Sequence, residues 1–571
     1  MHQTALETRR PGATVVPIII SSDKTQLTLF RDKMAYPVYM TIRNIPKQLR
    51  QKILCQAQIL IGYIPTTKLV GISNKAARRR ALANLYHACM HDVLGPISSC
   101  GETGLDLMSG DGVWRRCHPI FAAFIGDYPE QALVTCTYYG RCPKCTVPPT
   151  QLGEYGSFPP RVHSKVLDTY QLANSDVRTF YSACGEVGMK PIYHPFWETL
   201  PLMDVFRSIT PDILHQLHQG MVKHIISWVT DVFGAVAINA RCRAIPPSHD
   251  IMLFTKGITS LTRVSGLVHK KICSILLGLV VDLSVPGGQD STRVVRAVRA
   301  LMDFTYLAQH KSHTADTISE MRDCLKKFHH NKSVFIDLGI QEQFSLPKLH
   351  SLSHYASSIQ LFITTDNYNT EQTDHLHINF AKDAYCTTNH KNEYSQMTKW
   401  LEHRERIQQL SDFINWIPNH GERQSLYQDV MGPACVSALT LKMAQGPSKW
   451  SVSFDVLARD YGALDFQDAL ADFIARANYP GASGAALQQR AHDTHIPFSG
   501  VPVYYNVKFT RGGDTEIVDA VHIRPEHQDH EWIIPGHFDT VIVNGRGSSG
   551  TQSQGNKSLL CFTSILSNHT D

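Results

Sequence analysis

The chain has 571 residues, 43% of them hydrophobic, with a formal charge of +5 and a pI of about 8.4. That is enough apolar material for a large buried core in roughly two to four domains, which excludes a disordered chain; the basic excess is compatible with nucleic acid without demanding it. The 14 scattered cysteines, with one pair at metal-ligand spacing and no N-terminal signal sequence, suit a reducing compartment.

The first element is Val15 to Asp23, VVPIIISSD, an apolar, β-branched run that stops at an acid. It predicts a buried strand with Asp23 at its carboxyl end, where α/β sheets commonly place chemistry. Tyr36 to Ile42 and Gln58 to Ile64, ended by Asn-Ile-Pro and Pro65, predict two more strands, and the close spacing predicts an antiparallel meander. Asn74 to about Leu94 reads as a helix with Leu82, Leu85, Tyr86 and Cys89 on one face, broken by Gly101 to Gly112. Pro119 to Asp127, PIFAAFIGD, is a second apolar run ending in an acid. Three strands, a helix and a fourth strand, with acids after the first and fourth, is the order of an RNase H-like fold, in which those two strands are neighbours.

Residues 12–135 are therefore expected to form the first part of such an α/β core. Residues 136–361 are expected to be a large, mainly helical insertion containing Cys142-Pro-Lys-Cys145. Within it, Ile272 to Val281 is too short an apolar run to span a bilayer and reads as a buried helix. Asp290-Ser291 can cap a helix with Val294, Val295, Val298, Leu301 and Met302 facing a core and Arg293, Arg296 and Arg299 opposite. Closing helices of the core are expected over 362–415 and a small β-rich region over 416–546, with strands at Val501 to Phe509, Ile517 to Ile523 and Thr540 to Asn544. The low-complexity segment Gly545 to Gly555 and the end, 547–571, which overlaps it, are expected to be disordered.

Converging carboxylates suit Mg²⁺ or Mn²⁺, because hard cations take oxygen ligands, and two such ions serve an in-line phosphodiester displacement. A third acid is needed beside Asp23 and Asp127; Glu371 and Asp374 in NTEQTDHLHINFAKDAY are candidates, with Asp212 in TPDILHQLHQG competing. Taken singly, each is also an ordinary helix-start acid. Cys142 and Cys145 are half of a structural zinc site; His215 and His218, or Cys117 or Cys136, could complete it, the alternative being a reduced pair in a turn. Lys75 to Arg80, KAARRR, and the arginine stripe are either phosphate-binding surfaces or solvated helix faces. Trp114, Trp197 and Trp228 are expected in the core.

The blocks ISSDKTQLTLFRDKMAYPVYMTIRNIPK, AQILIGYIPTTKL, SGDGVWRRCHPIFAAFIGDYPEQALVTC, CPKC, PDILHQLHQGMVKH, LFTKGI and DNYNTEQTDHLHINFAKDAYCTTNHK closely resemble the Plavaka-type transposases, a fungal branch of the CACTA (En/Spm-like) DNA transposons. The resemblance covers about residues 12–510, and more loosely reaches 546. It implies an RNase H-like core with a helical insertion and cut-and-paste transposition by a DDE/D mechanism. It places the first acid on Asp23, the second on Asp127 and the third on Glu371, with Asp374 and Asp212 as alternatives. A two-ion Mg²⁺ or Mn²⁺ site, one structural Zn²⁺ on Cys142, Cys145, His215 and His218, DNA as partner, a homo-oligomer when active and a nuclear location follow as expectations. Family members carry a long N-terminal region ahead of the first strand, and the ending KSLLCFTSILSNHTD departs from the family pattern. This implies a truncated copy, for which a catalytically inactive, transposase-derived DNA-binding protein is the alternative.

Overall fold

The computed structural model describes residues 12–416 and 439–538, apart from short stretches within each. The strand expected at Thr540 to Asn544, the Gly545 to Gly555 segment and the tail 547–571 lie outside the described residues. The chain divides into two compact units, Met1–Cys242 with Lys256–Gly421, and Arg243–Thr255 with Glu422–Asp571.

The first unit is built on a mixed five-stranded sheet of β1 (Thr14–Ser22), β2 (Pro37–Ile42), β3 (Ile59–Tyr63), β4 (Leu105–Met108) and β5 (Trp114–Ile125), in the order β3-β2-β1-β5-β4. β1, β2 and β3 form an antiparallel meander. β5 lies parallel to β1, with Ser21 opposite Ile125. A parallel neighbour needs a long crossover, and helix α1 (Lys75–Thr103), capped by the Asn74 side chain, supplies it. Ile18 and Ile20 pack with Tyr86, Met90, Phe121 and Phe124 on one face, while Ile19 packs with Ala123, Ile125 and Tyr368 on the other. Alternate side chains of a strand point to opposite faces; a strand covered on both must be apolar throughout, which is why VVPIII shows no alternation.

Three local features differ from the sequence expectation. Thr25–Thr28 and Lys33–Ala35 pair as a hairpin directly after Asp23. Helix α1 continues through Pro96 to Thr103; Gly101 is needed inside it because a Cβ would stand 2.7 Å from the Pro119 carbonyl and from the Pro201 ring. Trp114 is 68% exposed rather than in the core, because it faces Met108 at the outer end of the β4–β5 hairpin. Trp197 and Trp228 are fully buried, as expected.

Beyond Thr135 the unit is mostly helical. The Gly266–Val280 helix buries Ile272, Cys273, Ile275, Leu276 and Leu279. The Thr292–Ala308 helix starts where Asp290 Oδ1 accepts from the Thr292 amide at 2.8 Å, and it buries Val294, Val298, Leu301 and Met302. Arg293 donates to Asp337 at 2.6 Å and to Ser333 at 2.7 Å. Arg299 pairs with Asp303 at 3.6 Å, so much of the stripe's charge is met locally. No single helix among the described residues is long and apolar enough to cross a membrane.

The second unit contains Leu439–Met443, Asn506–Arg511, Ile517–Arg524 and His537–Phe538 as one antiparallel sheet, and Lys449–Ser453 paired with Gly500–Val503. Val452 and Val501 pack with Leu457, Phe466 and Leu470 of two adjoining helices, Phe454–Tyr461 and Phe466–Asn478.

Candidate functional site

The parallel pairing of β1 and β5 brings Asp23, one residue beyond β1, to the same sheet end as Asp127, two residues beyond β5. Asp127 caps the short helix α2 (Tyr128–Val134), its Oδ1 accepting from the Glu130 amide at 3.0 Å. A third acid arrives by a route the sequence does not show. Ile209 bridges in parallel to Phe124, and the Thr210 hydroxyl donates to the Phe124 carbonyl at 2.9 Å. This segment extends the sheet by a rung beside the end of β5 and leaves Asp212 at its own carboxyl end.

Asp212 is buried and opens α3 (Ile213–Val222), a π-helical segment. Its Oδ1 accepts from the Leu214 amide at 3.0 Å and the Thr370 hydroxyl at 2.6 Å, and its Oδ2 lies 2.7 Å from His215 Nδ1. Thr370 begins α4 (Thr370–His377), so the bond to Asp212 docks that helix on the acidic end of the sheet. α4 delivers Asp374, whose carboxylate shares a cluster with those of Asp23 and the imidazole of His377, ligand atoms lying within 4.8 Å of one another.

The electrostatics follow from the crowding. Burial, then the charge of Asp127 and that of Asp374, push Asp23 up to about 7, against the Lys24 amide that bonds its carboxylate. Burial and the charges of Asp212 and Asp127 push Asp374 up to about 6. Burial also raises Asp127. Burial alone would lower His215, but the bond to Asp212 and the charges of Asp212, Asp374 and Asp127 outweigh it and raise the imidazole to about 9. Burial lowers His377 to about 4, leaving a neutral ring. Behind the acids, buried Glu130 is pushed up to about 8 by desolvation. It accepts from the Tyr36 hydroxyl at 2.7 and 2.6 Å and from Ser22 at 3.2 Å, tying the end of β1 to α2.

Glu371 stands in the first turn of α4, where its carboxylate accepts from Asn369 Nδ2 at 2.9 Å. The acid that α4 brings to Asp23 is Asp374, one turn further on. Position within a turn decides this: at about 3.6 residues per turn, residues three apart point about 60° apart around the helix, and no spacing rule says which one meets the sheet.

Cys142, Cys145 and His350, all buried, and half-buried His354 form a second cluster. Cys142 Sγ lies 3.2 Å from His354 Nε2, Cys145 Sγ 3.1 Å from His350 Nε2, and the two Nε2 atoms are 3.2 Å apart. A tetrahedral zinc site has edges of about 3.3–3.8 Å when built from ordinary Zn–S and Zn–N bonds, so this two-sulfur, two-nitrogen cage has the required size and donors. Burial opposes charge on Cys142, but the hydrogen bond with Cys145 and the two imidazoles hold its thiol well below the ordinary value. His215 and His218 do not complete this cage: His215 is engaged by Asp212, and buried His218 lies near Gln309, Lys270 and His269. Cys136 sits beside His87 at 3.3 Å, and Cys117 lies in β5. The histidine pair was readable in LPKLHSLSHYA, since two histidines four apart share one helix face. What the sequence lacked was any sign that this turn meets the CxxC knuckle.

The two clusters are mechanically connected. Lys144, between the cysteines, donates to the Ile209 carbonyl at 2.6 Å, and Tyr355, next to His354, donates to the Asp212 carbonyl at 2.9 Å.

Residues 1–229 match the family described as Plavaka transposase, which supports a Plavaka-type transposase. The match takes in Asp23, Asp127, Cys142, Cys145, Asp212 and His215, whereas His350, His354, Glu371 and Asp374 lie beyond it. No curated protein matches the chain.

Proposed function

We propose that the first unit is the catalytic core of a metal-dependent DNA transposase of the DDE/D type, with Asp23, Asp127 and Asp374 as its metal-holding acids. The observation that carries this is the arrival of Asp23 and Asp127 at the same end of adjacent parallel strands, with Asp374 clustered with Asp23. Strand order, helical crossover and acid placement agree with an RNase H-like core. Burial first, and then the neighbouring acids, raise Asp23 and Asp374; a hard divalent cation would offset both effects, so the donor set fits Mg²⁺ or Mn²⁺. When bound, a pair of such ions activates an attacking oxygen and stabilises the leaving oxygen at a phosphodiester.

The chain's own residues do the rest. Glu130, Tyr36 and Ser22 fix the ends of β1 and α2, and hence the spacing of Asp23 from Asp127. Asp212 orients His215 through Nδ1, and His215 keeps a proton at neutral pH that can pass to a departing 3′ oxygen. Thr370 locks α4 to Asp212 and so sets where Asp374 stands. Cys142, Cys145, His350 and His354 would hold one structural Zn²⁺, a staple for the segment that ends in Asp212. The test is cleavage of DNA from around the coding region: Asp23→Asn or Asp127→Asn should abolish Mn²⁺-dependent cutting in a folded protein, and undiminished cutting would refute the assignment.

A further inference from the structure

α4 carries one side chain toward the acids that neither transposition chemistry nor the sequence singled out. His377 is 5% exposed. Its Nδ1 lies 3.1 Å from the Tyr39 hydroxyl, and its Nε2 has no hydrogen-bond partner among the described residues. A buried ring nitrogen without a partner carries a desolvation cost unless something meets it. His377 also offers a nitrogen within 4.8 Å of carboxylate oxygens of both Asp23 and Asp374. Around an octahedral ion with bonds of about 2.1 Å, opposite ligands are about 4.2 Å apart and neighbouring ones about 3.0 Å, so these three donors are close enough to share one ion once they draw together by up to about 2 Å.

We propose that His377 is a direct nitrogen ligand, completing with Asp23 and Asp374 a mixed oxygen and nitrogen site for a divalent transition metal such as Mn²⁺. This rests on the carboxylate site proposed above and adds a consequence for cation choice. Imidazole is a good ligand for first-row transition metals and a poor one for Mg²⁺, which prefers oxygen. One of the two ion positions would therefore favour Mn²⁺ over Mg²⁺. Tyr39 is the positioning residue: its hydroxyl engages Nδ1 and fixes the ring orientation, as partners of metal-bound histidines commonly do.

The experiment loads the full chain with Mn²⁺ and reads two quantities that do not depend on cleavage: Mn²⁺ affinity by calorimetry, and ¹⁴N coupling to the bound Mn²⁺ by pulsed electron paramagnetic resonance. The wild type should show a directly coordinated imidazole nitrogen. His377→Ala should lose that signal and bind Mn²⁺ at least about tenfold more weakly, with Mg²⁺ affinity changing less. His377→Asp should restore Mn²⁺ binding without the nitrogen signal and bring the two cations closer in affinity, which separates ligation from loss of fold. A nitrogen signal absent from the wild type, or persisting in His377→Ala, would overturn the proposal. If Asp23→Asn retains full Mn²⁺ binding, the carboxylate site itself is refuted; if Asp23→Asn loses it while His377→Ala matches the wild type, only the role of His377 falls.

Discussion

Replacing Asp23 by Asn should make the protein more stable whenever Mn²⁺ and Mg²⁺ are withheld, and increasingly so as pH rises. The carboxyl titrates at about 7 in the fold against an ordinary 3.8. Between those values the native protein keeps a proton that the unfolded chain has released, so wild-type stability falls as pH rises through this window and levels off above it. Each pH unit inside the window is worth about 1.4 kcal/mol. The isosteric amide does not titrate, so its advantage should be about 2 kcal/mol at pH 5.5 and about 4 kcal/mol at pH 8. Urea unfolding followed by tryptophan fluorescence reports on this unit, because Trp197 and Trp228 are fully buried in it. Saturating Mn²⁺ should narrow the gap: the wild type gains about 2.7 kcal/mol at a hundredfold excess over Kd and the variant gains little, so the two come about level near pH 5.5 and the variant's lead at pH 8 shrinks to about 1 kcal/mol. A variant that is less stable than wild type at pH 8 without the ion, or whose advantage is independent of pH, would refute the electrostatic account of the cluster.

Two further outcomes test other parts of the structure. The purified chain should contain near-stoichiometric zinc by elemental analysis, lost in Cys142→Ser and in His350→Ala and kept in His218→Ala; because Lys144 and Tyr355 connect this cage to Ile209 and Asp212, zinc loss should also weaken Mn²⁺ binding, and a metal-free protein of normal stability would contradict it. Trp197→Ala should cost about 3–5 kcal/mol in urea unfolding, whereas Trp114→Ala should stay within about 0.5 kcal/mol; similar costs for both would contradict the burial assigned to them.

The sequence made the sheet legible where one physical rule acts alone. VVPIIISSD and PIFAAFIGD are apolar throughout because strands covered on both faces must be; their spacing alone does not make them neighbours, and the meeting of Asp23 with Asp127 is expected from the order of the elements. Asp212 could not be placed as readily: its route to the site is the rung that Ile209 and Thr210 make with Phe124, and a single bridge leaves no periodic trace. The choice between Glu371 and Asp374 depends on the rotation of α4, set by the bond from Thr370 to Asp212, a contact between residues 158 positions apart. The zinc cage was half legible for the same reason, since CxxC has a fixed spacing while His350 and His354 join it only through the tertiary fold. Trp114 misled because aromatic residues usually bury, and only the register opposite Met108 exposes it.

The most direct measurement is Mn²⁺-dependent cleavage of DNA spanning the ends of the chain's own coding element, by the wild type, Asp23→Asn, Asp374→Asn and Glu371→Gln. Cleavage lost in Asp23→Asn and Asp374→Asn but kept in Glu371→Gln is the expected result. Cleavage that survives Asp23→Asn, or that fails in Glu371→Gln while persisting in Asp374→Asn, would contradict it.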